Sequence, residues 1–265
     1  MKVAVEDNQR TTVLRFIAGT QGTRSDKSFL GRNRMKQVML SLCLVLAVLF
    51  SPGRLLSAVA QSSTTPGSRL APMDQYLSDR TAEIALARSA APKSISQNAE
   101  ILVLGPRGYH VAVKGTNGFV CVVERSWMLP FDNPEFWNPQ VRLPLCMNSP
   151  GARMNVPLTF KTTELALKGL SATEISSAIK AAFGKNELPL PEPGSMCYMM
   201  SKQQNFGPKT GNADPHLMFW FPQKEHLNWG AEFPDSPVDV HQYSPQPITE
   251  FSISVSKWSD GTPAQ

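Results

Sequence analysis

The sequence predicts a single α+β domain: an antiparallel sheet of about six strands with three helices, over residues 72–265. Three observations lead there. Strand-like runs cluster at 100–127 and again at 195–202, 216–221 and 248–258. Helical spacing is confined to 74–89 and 162–183, so strands and helices come in blocks and not in strict alternation. Two proline-rich stretches, 128–157 and 222–247, carry large apolar residues that a solvated linker would not need. Roughly 190 residues are enough to bury one substantial core.

In chain order, 74–89 reads as a helix with Asp74 as N-cap and Leu77, Ile84, Ala87 and Ala91 as its apolar stripe, stopped by Pro92. Runs 100–104, 109–116 and 119–127 read as a three-stranded antiparallel meander. Gly105-Pro106-Arg107-Gly108 supplies the first turn and Asn117-Gly118 the second, a strong two-residue hairpin signal. That hairpin sets His110 opposite Arg125, Lys114 opposite Cys121 and Val111 opposite Glu124. Phe119 to Val123 is apolar on both faces, which predicts a strand covered on both sides. Prolines 130, 134, 139, 144, 150 and 157 argue for an ordered loop over 128–157, folded back on Phe131, Phe136, Trp137, Val141 and Leu145. A short helix follows at 162–169. The next, 171–183, has the capping box Ser171/Glu174, with Ile175, Ile179, Ala182 and Phe183 on one face and Gly184 at its end. Strands at 195–202, 216–221 and 248–258 complete the sheet, the last with Phe251, Ile253 and Val255 inward.

Residues 1–34 are polar and without period, an extension ahead of Met35. Residues 35–60 have the order of a secretory signal: Arg32, Arg34 and Lys36, then an apolar run from Val38 to Phe50, then Ala58-Val59-Ala60 before Gln61. The apolar run is shorter than the ~20 residues of a membrane-spanning helix, so no transmembrane span is expected after cleavage. Residues 61–71 read as a flexible leader. Export to a periplasmic or extracellular space is the expectation. The chain has 26 basic and 21 acidic residues, but the part beyond residue 60 has 17 and 18, which argues against nucleic-acid binding. Cys121, Cys146 and Cys197 remain beyond the signal; Cys121–Cys146, which closes a short proline-rich excursion, is the preferred disulfide, with the other two pairings and three buried reduced thiols left open.

Phosphate-loop, HExxH, CxxC and GxSxG patterns are absent, and no cofactor is expected. Three sets of side chains are candidates for function. His110, Glu124 and Arg125, near Cys121, are catalytic candidates for a hydrolase with a non-standard site. Trp229 and Phe233 are ligand-binding candidates, aromatic residues placed in a loop. The scattered histidines His110, His216, His226 and His241, with Asp214, Glu225 or Asp239, are the material for a metal site, though their spacing lacks metal-site order, and no metal ligand is assigned.

The stretches Asn117–Trp127 (NGFVCVVERSW) and Pro134–Pro139 (PEFWNP) resemble those of exported bacterial proteins of unknown function. The resemblance covers most of the mature chain and brings no catalytic residue with it. The element order is also similar to profilin-like and Cache-type sensor folds, which implies a fold and no activity. The leading expectation is a non-enzymatic domain that binds a small ligand or an envelope component. A periplasmic hydrolase and a metal-binding module are the alternatives.

Overall fold

The computed structural model describes residues 69–223 and 228–264, all within one compact unit, Ala60–Gln265. The segments read from sequence as a signal and an N-terminal extension, most of the expected leader, Glu225 and His226 lie outside the described residues. The class is α+β. One eight-stranded sheet runs in the order β2-β1-β3-β4-β5-β6-β8-β7, with four α-helices. In place of about six antiparallel strands there are thus eight in a mixed sheet.

β1 (Glu100–Gly105) and β2 (Gly108–Val113) form the expected hairpin through the Pro106-Arg107 turn, with Gly108 at φ 109°. β3 (Val120–Glu124) does not continue the meander. It pairs in parallel with β1, Ile101 against Cys121, so β2 is left as the sheet edge. The cause lies between β2 and β3. A Cβ on Gly115 would collide with the backbone of Ala99 and Glu100, so glycine lets the chain cross beside the start of β1. Asn117, expected in a tight hairpin, instead donates from Nδ2 to the Ile95 carbonyl (2.7 Å) and accepts from the Phe119 amide (3.1 Å).

β3 is buried on both faces, as its sequence predicts. Val122 belongs to the larger core, under α3 (Ser149–Leu167) and α4 (Ala172–Gly184); Cys121 and Val123 face α1 (Arg80–Arg88). Cys121 and Cys146 form a disulfide directly across β3 and β4 (Leu143–Met147). Cys197 is a buried free thiol that burial holds largely protonated.

Helix α1 starts later than expected. Asp79, not Asp74, is its N-cap, accepting from the Thr81 and Ala82 amides at 2.8 and 3.0 Å. Tyr76 ends the preceding 3-10 turn because its side chain is drawn into the core, where its hydroxyl donates to the Trp137 carbonyl (2.6 Å). α2 (Lys93–Ser96) is a single turn.

The proline-rich stretch 128–157 is an ordered loop only to about residue 141, with Phe136, Trp137 and Val141 buried. Beyond that it holds β4 and the first half of α3. Pro144 is tolerated in β4 because β5 (Met196–Met199) pairs only with Cys146 and Met147, leaving that side of Pro144 without a strand partner. Pro150 sits in the first turn of α3, where a missing N–H costs nothing, and Asn148 caps it by accepting from the Gly151 amide (2.9 Å). Helix α3 is therefore one element of 19 residues with Pro157 inside it, in place of a short helix at 162–169. α4 has the predicted capping box.

Beyond β5, β6 (His216–Pro222) and β8 (Ile248–Ser254) pair along seven residues, and β7 (Val238–Gln242) adds the last edge. β7 lies inside 222–247, read from sequence as a loop. One face of this half-sheet is aromatic: Trp229 stacks on Phe251 with centroids 4.2 Å apart, and Phe221 meets Trp229 edge-on. The other face carries Met218, Trp220, Glu250 and Ser252 and borders a cleft shared with α3. No described helix is long and apolar enough to cross a membrane.

Candidate functional site

The alternation of β6, β8 and β7 builds the site. Cross-strand pairing puts Trp220, Glu250 and His241 in one rung, Met218, Ser252 and Asp239 in the next, and His216 beside Ser254 in the third. These side chains share the face opposite Phe251. They form one wall of a cleft of about 550 Å³; α3 and the 128–131 segment form the other. The cleft grades inward. Asp214, Asp239 and His241 are exposed at its mouth, Glu250 is half-buried, and Leu143, Leu145, Trp220 and Ile248 are buried at its base. Met128, Met154, Met199 and Met218 line it with flexible, polarisable surface.

Glu124 is the one charged group at the buried end, 5% exposed. It ends β3 on the α3 side of the sheet. Oε1 accepts from Asn155 Nδ2 (2.7 Å) and from Thr159 Oγ1 (2.5 Å), one turn apart on α3. Among the described residues no group donates to Oε2. Burial, reinforced by the like charge of Glu250, outweighs these two bonds and pushes the carboxyl up to about 7. A carboxyl held there exchanges its proton near neutral pH.

Glu250 is fixed differently. Its Oε2 accepts from Trp220 Nε1 (2.8 Å), and its Oε1 has a long contact with the Tyr243 hydroxyl (3.4 Å). Burial and the neighbouring Glu250 raise the Tyr243 phenol, so it stays a neutral donor. His216 Nδ1 bonds to the Asp214 carbonyl (2.7 Å); since that partner can only accept, Nδ1 carries the proton.

The sequence-derived catalytic trio does not assemble. His110 pairs with Val103 on the exposed edge strand β2, with β1 between it and β3. Arg125 is fully buried away from the cleft. Its guanidinium bonds to Glu83 Oε1 (2.6 Å), to the Tyr76 carbonyl (2.9 Å) and to the Val123 carbonyl (2.5 Å), tying α1 to β3. Glu124 alone of the three reaches the cleft. Trp229, 45% exposed, stacks on the aromatic face, Phe233 is 66% exposed, and neither lines the cleft. His216 and His241 do line it, but among the described residues no three His, Cys, Asp or Glu side chains come together as metal ligands.

Sequence reasoning missed Glu250, Tyr243, Asn155 and Thr159. A signal was present for two of them. Asn155 and Thr159 are four apart and polar, on a helix face whose other members, Met154 and Leu158, are apolar. No known protein family, characterised protein or solved structure matches this chain.

Proposed function

We propose that the chain is an exported domain that binds a small molecule in the cleft between α3 and the β6–β8–β7 half of the sheet. The ligand has an apolar body and a hydrogen-bonding head group. The observation that carries this is the gradient within the cleft: apolar and methionine-rich walls converge on a few fixed polar groups, Glu124, Glu250 and Tyr243. A volume of about 550 Å³ falls within the roughly 300–1,000 Å³ usual for small-molecule sites. The cleft opens at an edge half of the sheet and no chain segment among the described residues fills it. Export is supported by the signal-like order of 35–60 and by the Cys121–Cys146 disulfide, which persists in oxidising compartments.

The test is a thermal-shift screen of small amphipathic molecules against the protein and its Ser252→Trp variant. Ser252 sits on the cleft wall between Met218 and Asp239, so the larger side chain occludes the cleft without entering the core. A ligand at 100 times its Kd stabilises the folded state by about 2.7 kcal/mol. Ligands that raise the melting temperature of the parent and leave Ser252→Trp unmoved support the reading. A set of hits that stabilises both proteins equally refutes it.

One observation favours a second reading, a hydrolase whose proton-transfer group is Glu124: a buried carboxyl near 7 is suited to general acid–base work. That reading requires turnover of an ester or glycoside that Glu124→Gln abolishes. Binding without turnover favours the first.

A further inference from the structure

Resting on the ligand-binding reading, we infer that the head group recognised in the cleft is a protonated amine, held by Glu124 Oε2 with Glu250 as second carboxylate, and that its binding releases a proton from the site.

The charge of the cleft is the first argument. Four acidic side chains line it, Glu124, Glu250, Asp214 and Asp239, and no Lys or Arg does among the described residues. An anionic head group would meet repulsion along the whole path from the mouth to the base. A cation would be drawn inward.

The second argument is the unfilled acceptor. Asn155 and Thr159 both hold Oε1 of Glu124, a side chain that lines the cleft, and among the described residues nothing donates to Oε2. An ammonium group brings three donors and a positive charge, and it has two acceptors to meet, since Glu250 Oε1 makes only the long contact to Tyr243. Alternatives fit less well. A neutral hydroxyl satisfies Oε2 but leaves the like charge of Glu250 acting on Glu124, whereas a cation offsets that repulsion.

Proton release follows from linkage. Without ligand, Glu124 holds its proton below about 7. The ammonium binds the carboxylate form, so amine affinity is highest above that pH and falls as the pH drops through it, on the order of 100-fold between pH 8 and pH 5. Other titratable groups face the same space: His216 on β6, Asp239 and His241 on β7, Tyr243 after it, and Glu250 on β8. Cys197 on β5 and Tyr109 on β2 lie close enough to Glu124 to feel its charge. A substitution at Glu124 separates its contribution from those of these neighbours.

The experiment is isothermal titration of the full chain with 2-phenylethylamine, 2-phenylethanol and phenylacetate. The three share an apolar body and differ in head group. Titrations at pH 5, 6.5 and 8, in two buffers of different ionisation enthalpy, also count protons. The amine is expected to bind at least tenfold more tightly than the alcohol at pH 8, with phenylacetate weakest, and to release about one proton at pH 6.5. In Glu124→Gln the amine's advantage over the alcohol and the proton release disappear; in Glu250→Gln the advantage shrinks. Should Glu124→Gln not fold, the parent's proton count and the Glu250→Gln comparison decide alone. Equal binding of amine and alcohol to the parent, tightest binding of phenylacetate, or an amine preference that survives Glu124→Gln overturns the inference and leaves the small-molecule cleft intact. Failure of all three probes removes both together.

Discussion

Replacing Glu124 by Gln should make the protein more stable at alkaline pH and leave it unchanged in acid. Burial raises the Glu124 carboxyl from its ordinary value of 4.5 to about 7 in the folded chain. Between these values the folded protein keeps a proton that the unfolded chain has lost, so stability falls as the pH rises through this window. The gap corresponds to about 3 kcal/mol, an upper bound because water reaches the cleft. Gln keeps the Oε1 acceptor for Asn155 and Thr159 and carries no charge at any pH. The difference between variant and parent is then under about 1 kcal/mol at pH 5 and about 2–3 kcal/mol in favour of the variant at pH 8. Urea unfolding at the two pH values, with the disulfide intact, measures it. A difference that does not change with pH, or a variant less stable at pH 8, refutes the reasoning about this carboxyl. A site retained at such a cost is the stability–function trade expected of a binding residue.

Arg125→Met leaves Glu83 charged, buried and without its cation, and Glu83 Oε2 already lacks a donor among the described residues. A loss of about 3–5 kcal/mol in urea unfolding is expected, largely recovered in the Glu83→Gln/Arg125→Met pair; a loss below about 1 kcal/mol contradicts the clamp. Replacing Cys121 and Cys146 together by Ser should cost about 3 kcal/mol, from the 25-residue separation the bond closes. Thiol titration of unfolded, unreduced protein beginning at Gln61 should count Cys197 alone, and three thiols would exclude the bond. Expression of the full chain in bacteria should yield a periplasmic or secreted product with Gln61 as its N-terminal residue; a cytosolic product that keeps Met1 or Met35 contradicts export.

Helix α4 was legible because its start and its face agree: Ser171 and Glu174 form the capping box and the apolar spacing is buried, while the end falls one residue past the expected Gly184, with Lys185 as C-cap and Asn186 in the left-handed conformation. The two-sided burial of β3 was equally plain from its unbroken apolar run, and the disulfide was the preferred pairing of the three cysteines because it closes a short proline-rich excursion. What failed was pairing. Asn117-Gly118 has the chemistry of a two-residue hairpin, but the collision a Cβ at Gly115 would make is a tertiary fact that no local pattern encodes. The consequence reached the site, since His110 met Arg125 only in that hairpin. β4 and the first half of α3 were hidden by their prolines, each of which sits where the missing N–H is tolerated. The buried face of α3 further obscured its period, because Asn155, Thr159, Thr162 and Thr163 alternate with apolar residues there. Two of these hold Glu124, and Thr163 accepts from the Trp127 indole (2.9 Å). The cleft itself was out of reach, because it needs Glu124 and Glu250, 126 positions apart in the chain, to face one space.

The methionines report most directly on whether the cleft is the binding site. With the methyl groups labelled with carbon-13, the resonances of Met128, Met154, Met199 and Met218 belong to the cleft walls, while those of Met73, Met147, Met196 and Met200 lie elsewhere. Titration with 2-phenylethylamine at pH 8 should shift the four cleft methyls together, along one binding curve, and leave the other four in place. Shifts confined to the second group, or no shift at any methionine while the ligand binds, would contradict the assignment of this cleft as the site.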